Sequence, residues 1–179
     1  MSLTQISAID DLMGGGANAV VGLPAIARAD ARILILGSLP SERSLGANQY
    51  YAHPQNAFWK IMGEIANAQG SYRERCDALM DTGIALWDVL ASSVRPGSMD
   101  ADIQSETAIA NDFSGFLLDH EALEMICFNG QKAEQMFTRM VQPGLDNDRL
   151  NFASLPSTSP AYASMNYVDK LAKWRSIIV

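Results

Sequence analysis

The sequence predicts an α/β fold of three layers, α/β/α, built around a central, mostly parallel four-stranded sheet. Three observations predict it. Four short, largely apolar runs recur at residues 32–36, 84–90, 125–128 and 150–155, the pattern of strands buried on both faces of a parallel sheet. Stretches with helical periodicity lie between them, and such alternation builds a doubly wound sheet with helices on both sides. Each run then gives way to small, polar or turn-forming residues, where a parallel sheet makes its crossovers and binds its ligands.

The elements follow in chain order. Residues 1–21 are expected to be a flexible segment, because Gly14-Gly15-Gly16 offers no side chains to pack. Residues 22–179 form a single domain, since 179 residues suit one core and no internal repeat is visible. The first strand, Arg32-Ile33-Leu34-Ile35-Leu36, ends at Gly37. A helix over 57–68 aligns Phe58, Ile61, Met62 and Ile65 in one apolar stripe, with Asn56 suited to cap it and Pro54 just before. Further helices are expected over 72–80, 103–118, 131–140 and 161–177.

Composition narrows the function. With 48% hydrophobic and 18% charged residues the chain is an ordinary globular protein. No apolar run approaches the roughly 18–20 residues of a membrane span. The first eleven residues lack the basic flank and apolar core of a signal peptide, so a cytoplasmic protein is expected. Cys76 and Cys127 are too few and too far apart for a thiolate cluster, and His53 and His120 add too little for a zinc site. No metal and no organic cofactor are expected, and Cys127 reads as a buried apolar residue. A net charge of −7 argues against a generic DNA binder and predicts weak, salt-sensitive non-specific affinity. It leaves room for a face built from backbone amides and hydroxyls.

The residues after the strands are therefore the ones that decide function. They are 37–41, 92–95, 129–131 and 156–160, and none holds a carboxylate pair for acid–base work. The pattern favours positioning over proton shuttling. The most informative stretch, 37–60, reads GSLPSERSLGANQYYAHPQNAFWK. On physical grounds Asn56 is either only a cap, with Tyr50-Tyr51 packing the loop, or an amide facing one pocket with an aromatic ring. A ring can stack on a base taken out of the helix, and an amide can read its edge or hold a water.

GSLPS followed by YYAHPQNAFWK resembles the first motif region of the mismatch-specific uracil/thymine-DNA glycosylases, which carry a GINPG turn and an FAHPANRFW-like stretch. The sequence is more similar still to the hypoxanthine-DNA glycosylase branch of the same uracil-DNA glycosylase superfamily. WDVLASSVRPGSMDADI (87–103), CFNGQKA (127–133) and LPSTSPAYA (155–163) extend the match, in order, across about residues 22–175. The resemblance implies a uracil-DNA glycosylase-like domain over 22–179 that excises a deaminated base from DNA, hypoxanthine foremost, without a cofactor and as a monomer. It places Tyr51 where the aromatic stacks on the flipped base. It places Leu39 where the mismatch enzymes carry their catalytic Asn, and moves that role to Asn56, the position used by the hypoxanthine branch. Gly37, Ser38, His53 and Asn129 are implied around the base. Ser157, Thr158 and Ser159, with Arg95 and Ser98, are implied against DNA, the serines acting at the start of the last helix. No lysine is placed for a Schiff base, because Lys60 falls inside a helix. The competing readings are a uracil/thymine mismatch enzyme, a non-catalytic nucleic-acid-binding module of the same fold, and a serine hydrolase using Ser38. The hydrolase lacks a G-x-S-x-G turn.

Overall fold

Alternation along the strands decides where the core lies. The computed structural model describes residues 19–97, 99–145 and 149–177. Four strands, β2 (Ile33–Gly37), β3 (Ile84–Asp88), β6 (Met125–Asn129) and β7 (Asn151–Leu155), form one sheet in the order β3-β2-β6-β7. All three pairings are parallel. Successive side chains point to opposite faces, so Leu34, Leu36, Ala85, Ile126 and Phe128 enter one core layer. Ile35, Ile84, Leu86 and Cys127 enter the other.

Helices cover both faces. On the first lie α4 (Phe113–Asp119) and α5 (Gln131–Met140), through Phe113, Phe116, Met136 and Phe137. On the second lie α2 (Phe58–Ile65), α3 (Tyr72–Asp81) and α6 (Tyr167–Arg175), through Phe58, Met62, Leu79 and Trp174. The α/β/α layering read from the sequence is thus present. Helix α3 starts at a reciprocal cap, in which Ser71 N–H donates to Glu74 Oε2 at 2.7 Å and Ser71 Oγ accepts from Glu74 N.

Several expectations need correction. The run 84–90 is not one strand: β3 ends at Asp88, and Val89 N and Leu90 N donate to the carbonyls of Gly37 and Ser38. The chain then enters β4 (Leu90–Val94) in a second, antiparallel sheet with β1 (Ala19–Val21) and β5 (Ile109–Ala110), order β1-β4-β5. Residues 19–21 of the expected flexible segment are therefore paired, while residues 1–18 lie outside the described residues. Strand β7 is an edge strand with Phe152 39% exposed, not one buried on both faces.

The helix expected over 103–118 is a 3-10 turn, the short β5 and then α4. Thr107 Oγ1 binds Val94 N–H and the Gln104 carbonyl, and Asp112 caps Gly115 N–H, so local side chains compete with a longer helix. The last helix starts at Tyr167 rather than 161, where Asn166 accepts from Asp169 N–H at 2.9 Å. A short helix, α1 (Glu42–Ala47), capped by Ser41 and closed by Asn48 in the left-handed region, went unread.

Candidate active site

Parallel register brings four strand ends together. Gly37 pairs with Asp88 across β2 and β3, and Asn129 lies opposite Leu155 across β6 and β7. A cavity of about 330 Å³ opens beyond these carboxyl ends, the place where open parallel sheets bind ligands. The loop from α1 to α2, the turn 37–41, the 3-10 turn Asp100–Asp102 and the loop after β7 complete its walls.

Tyr51 and Asn56 both line this cavity. Tyr51 sits at φ 53°, a costly backbone state for an aromatic residue. Neighbouring bonds hold it there: Tyr50 O accepts from Trp59 Nε1 at 2.8 Å, and Ala52 N donates to Ser44 Oγ at 3.3 Å. One face of the Tyr51 ring stacks on Phe58, centroids 4.1 Å apart. A base stacking on Tyr51 therefore has the opposite face.

Ala57, not Asn56, is the N-cap residue of α2 and brings no side-chain bond, but from the position ahead of it Asn56 Oδ1 accepts from Phe58 N, the first N–H of the helix, at 3.0 Å. That bond orients the amide, leaving the second Oδ1 lone pair and the Nδ2–H groups for a ligand. His53 Nδ1 accepts from Gln55 N at 3.2 Å, which puts the proton of a neutral ring on Nε2.

The opposite wall is locked to the sheet. Asn129 Oδ1 accepts from Thr158 N at 2.8 Å, and its Nδ2 donates to Thr158 Oγ1 at 2.9 Å. Thr158 O in turn accepts from Ala57 N at 3.0 Å, joining this loop to the start of α2. Gly130, at φ 97°, lets the backbone pass beneath Ser157: an added Cβ would lie 2.9 Å from the Ser157 Cβ. Ser157 and Ser159 cap successive turns, accepting from Ser159 N and Ala161 N. They do not stand at the start of the last helix, as the sequence reading had it.

Charge gathers on the floor. Asp88 is 3% exposed, lines the cavity, and its Oδ2 has no hydrogen-bond partner among the described residues. Burial, then the nearby Asp100, pushes its carboxyl up to about 8, against a smaller opposing pull from Arg95. The buried Tyr51 hydroxyl makes no hydrogen bond of good geometry among the described residues, although the Asn129 amide is near enough to favour its ionised form slightly; burial, then Asp88, outweighs this and holds its proton well above the ordinary tyrosine value. Ser38 Oγ donates to Asp100 Oδ1 at 2.5 Å.

Gly37, Ser38, Tyr51, His53, Asn56, Asn129, Ser157, Thr158 and Ser159 thus surround one cavity, although Thr158 and Asn129 spend most of their polarity on each other. Arg95 does not join them. It is 4% exposed, and its guanidinium donates to the carbonyls of Gly97, Leu39 and Pro40, so it braces the turn after β2 from behind. Ser98 lies outside the described residues. Leu39 packs in the apolar core and also lines the cavity, where it offers no polar group. Lys170, on α6, is 5% exposed and donates to Tyr162 O at 3.4 Å; its stem packs behind a residue of the cavity rim. Asp88 and Asp100 were missed, because Asp88 sits in an apolar run and Asp100 in a distant turn, and only the fold brings both to the Gly37-Ser38 turn, Asp88 by strand register and Asp100 by its bond to Ser38.

Comparison with known proteins agrees with this geometry. Residues 24–178 match the family described as the Uracil DNA glycosylase superfamily. A Methanosarcina acetivorans protein named Hypoxanthine DNA glycosylase is 39% identical over 159 residues, covering 87% of this chain and 96% of that protein. A Methanosarcina barkeri protein of the same name is 37% identical over 115 residues, 63% of this chain and 72% of that protein. The solution NMR structure of a candidate uracil DNA glycosylase from Methanosarcina acetivorans superposes with a TM-score of 0.74 at 33% identity, covering 90% of this chain and 97% of that one. A match spanning the whole α/β/α domain, from ahead of β2 to the end of α6, places the chain in the uracil DNA glycosylase superfamily.

Proposed function

We propose that the chain is a monofunctional DNA glycosylase that extrudes a deaminated base, hypoxanthine foremost, and hydrolyses its N-glycosidic bond. The observation that carries this is the joint presence of the Tyr51 ring and the Asn56 amide in one cavity of about 330 Å³. That volume is within the usual range of small-ligand pockets. Extrusion costs a few kcal/mol, and less at a mispaired base, so weak pairing itself contributes to selection. The C1′–N bond breaks with positive charge growing on the sugar and negative charge on the base. Fixed dipoles stabilise both in a site shielded from water. Asn56 has an oxygen lone pair to accept a hydrogen bond from the attacking water and N–H groups to meet the base.

No lysine or arginine lines the cavity among the described residues. Lys60 is in α2 with its ammonium over the Tyr167 ring at 3.9 Å, which supports hydrolysis without a Schiff base. Ser41, Ser157 and Ser159 on the wall offer hydroxyls and turn amides to a backbone phosphate. Leu39 lines the cavity without a polar group and so leaves the Asn56 amide to hold the water, while the preference for hypoxanthine over a uracil/thymine mismatch enzyme rests on the names of the relatives.

A panel of duplexes carrying single hypoxanthine, uracil, xanthine or mispaired thymine, scored as alkali-labile sites, tests the assignment. Hypoxanthine release that disappears in Asn56→Ala is the expected result. Efficient uracil release with hypoxanthine untouched overturns the substrate, and binding without any release overturns the enzyme.

A further inference from the structure

We propose that Asn129 is a positioning residue for Asn56: acting through Thr158, it fixes the backbone that carries the amide facing the base. This rests on the glycosylase reading above. It gives Asn129 a duty other than the base contact that the motif match implied.

The chain of contacts is short and buried. Asn129 ends β6, a strand paired on one side with β2 and on the other with β7, so the sheet supplies a rigid anchor. Both ends of its amide go to one residue: Oδ1 accepts from Thr158 N at 2.8 Å, and Nδ2 donates to Thr158 Oγ1 at 2.9 Å. Asparagine suits this task because it offers an acceptor and a donor in one plane, matched to the N–H and the hydroxyl of a single threonine. Asn129 and Thr158 are both buried, where such bonds are stronger than in water. The Thr158 carbonyl then accepts from Ala57 N at 3.0 Å, one residue from Asn56.

That last bond decides where Asn56 stands. Of three successive N–H groups, Asn56 N donates to His53 O at 2.9 Å and Phe58 N donates to Asn56 Oδ1 at 3.0 Å, both within the same segment. The Ala57 N–H alone of the three reaches another element, and its acceptor is the residue that Asn129 holds. The Asn129 amide also lies beside the Tyr51 hydroxyl. One side chain thus neighbours the ring and, through Thr158, the amide that together enclose the base. Catalysis by a placed amide tolerates little error: a shift of about 1 Å costs on the order of 10²-fold in rate.

Two readouts on the full chain test the proposal. One is single-turnover excision at saturating enzyme, on whichever base of the panel is released. The other is the side-chain amide signal of Asn56 in the nitrogen–proton correlation spectrum, identified by its loss in Asn56→Ser. Asn129→Ala should excise about 10–100-fold more slowly than wild type, and its Asn56 signal should shift, broaden or split. Ser71→Ala removes the cap of α3, does not touch the cavity, and controls for lost stability. It should melt at a lower temperature yet excise at the wild-type rate, with the Asn56 signal in place. If circular dichroism shows that Asn129→Ala does not fold, Thr158→Val, which removes only the hydroxyl bond, is read the same way, with an expected loss of about 3–10-fold. A folded Asn129→Ala that excises at the wild-type rate overturns the proposal. So does a slow Asn129→Ala whose Asn56 signal stays in place, which would assign Asn129 to the base itself. A Ser71→Ala as slow as Asn129→Ala also overturns it, by tracing the loss to stability. A wild type that releases no base from the panel overturns the glycosylase reading instead, and the Asn56 signal then still decides whether Asn129 sets its position.

Discussion

Asn56 carries two duties at once, accepting from the first N–H of α2 through Oδ1 and facing the cavity, and they are separable. Serine caps a helix as well as asparagine but has no amide. Asn56→Ser should therefore stay close to wild-type stability in denaturant while excision drops by about 10²-fold or more. Asn56→Ala should lose the same activity and, in addition, about 1 kcal/mol of stability. Equal activity in wild type and Asn56→Ser would remove the amide from the mechanism. A second residue-scale prediction concerns Gly37, whose missing side chain leaves room for Asp88 and Tyr51. An alanine methyl would meet Asp88 Oδ1 at 2.3 Å and the Tyr51 hydroxyl at 3.0 Å. Gly37→Ala should thus displace both and reduce excision more than it lowers the melting temperature; unchanged excision would show that the floor does not touch the base. Tyr51 and Asn56 were legible in the sequence because five positions of one loop bring them together. Asp88 was not, since it sits inside a stretch that reads as apolar strand and gains its meaning only from pairing opposite Gly37.

Elements differ in how far local sequence specifies them. The four parallel strands were readable because burial on both faces demands apolar runs, and even the exposed edge strand β7 keeps enough of that pattern. Helices α2, α3 and α5 lie where the sequence places them, α2 through its apolar stripe. The second sheet was not, because β1, β4 and β5 are short and their partners are distant in sequence. The loop after β7 was read as a helix start, whereas it is held by side chains from elsewhere. Asn129 supplies two of those bonds, from the end of β6, both to Thr158. Asn129→Ala leaves the buried Thr158 N–H and hydroxyl unpaired, at a cost of about 1–3 kcal/mol. Hydrogen exchange at Ser157–Ser159 should accelerate together with a lower melting temperature. Protection unchanged from wild type would mean that the link from Thr158 O to Ala57 N–H suffices to hold the loop.

At the scale of the whole molecule, the acidic balance and the buried floor meet in the pH dependence of stability. The net charge is −7, and the exposed carboxylates of Asp30, Glu74 and Glu124 are held below their ordinary values by partners, through hydrogen bonds from Arg28, Ser71 and Arg32 first. Those groups favour folding above the carboxylate range and lose that contribution as pH falls; being surface pairs, they contribute little. Asp88 acts with the opposite sign. Its folded value of about 8 lies above the ordinary 3.8, so the folded chain keeps a proton that the unfolded chain releases. That contribution is complete below about pH 4 and is lost as pH rises to about 8, at up to about 1.4 kcal/mol per pH unit. Asp88→Asn cannot release a proton at this site, and the surface pairs are common to both proteins. The difference in unfolding free energy, Asp88→Asn minus wild type, should therefore climb steadily between about pH 5 and pH 8 and level off above. Denaturant titrations of the two proteins at matched pH measure that difference directly. A difference that stays constant across the window would place an ordinary, ionised carboxylate on the cavity floor.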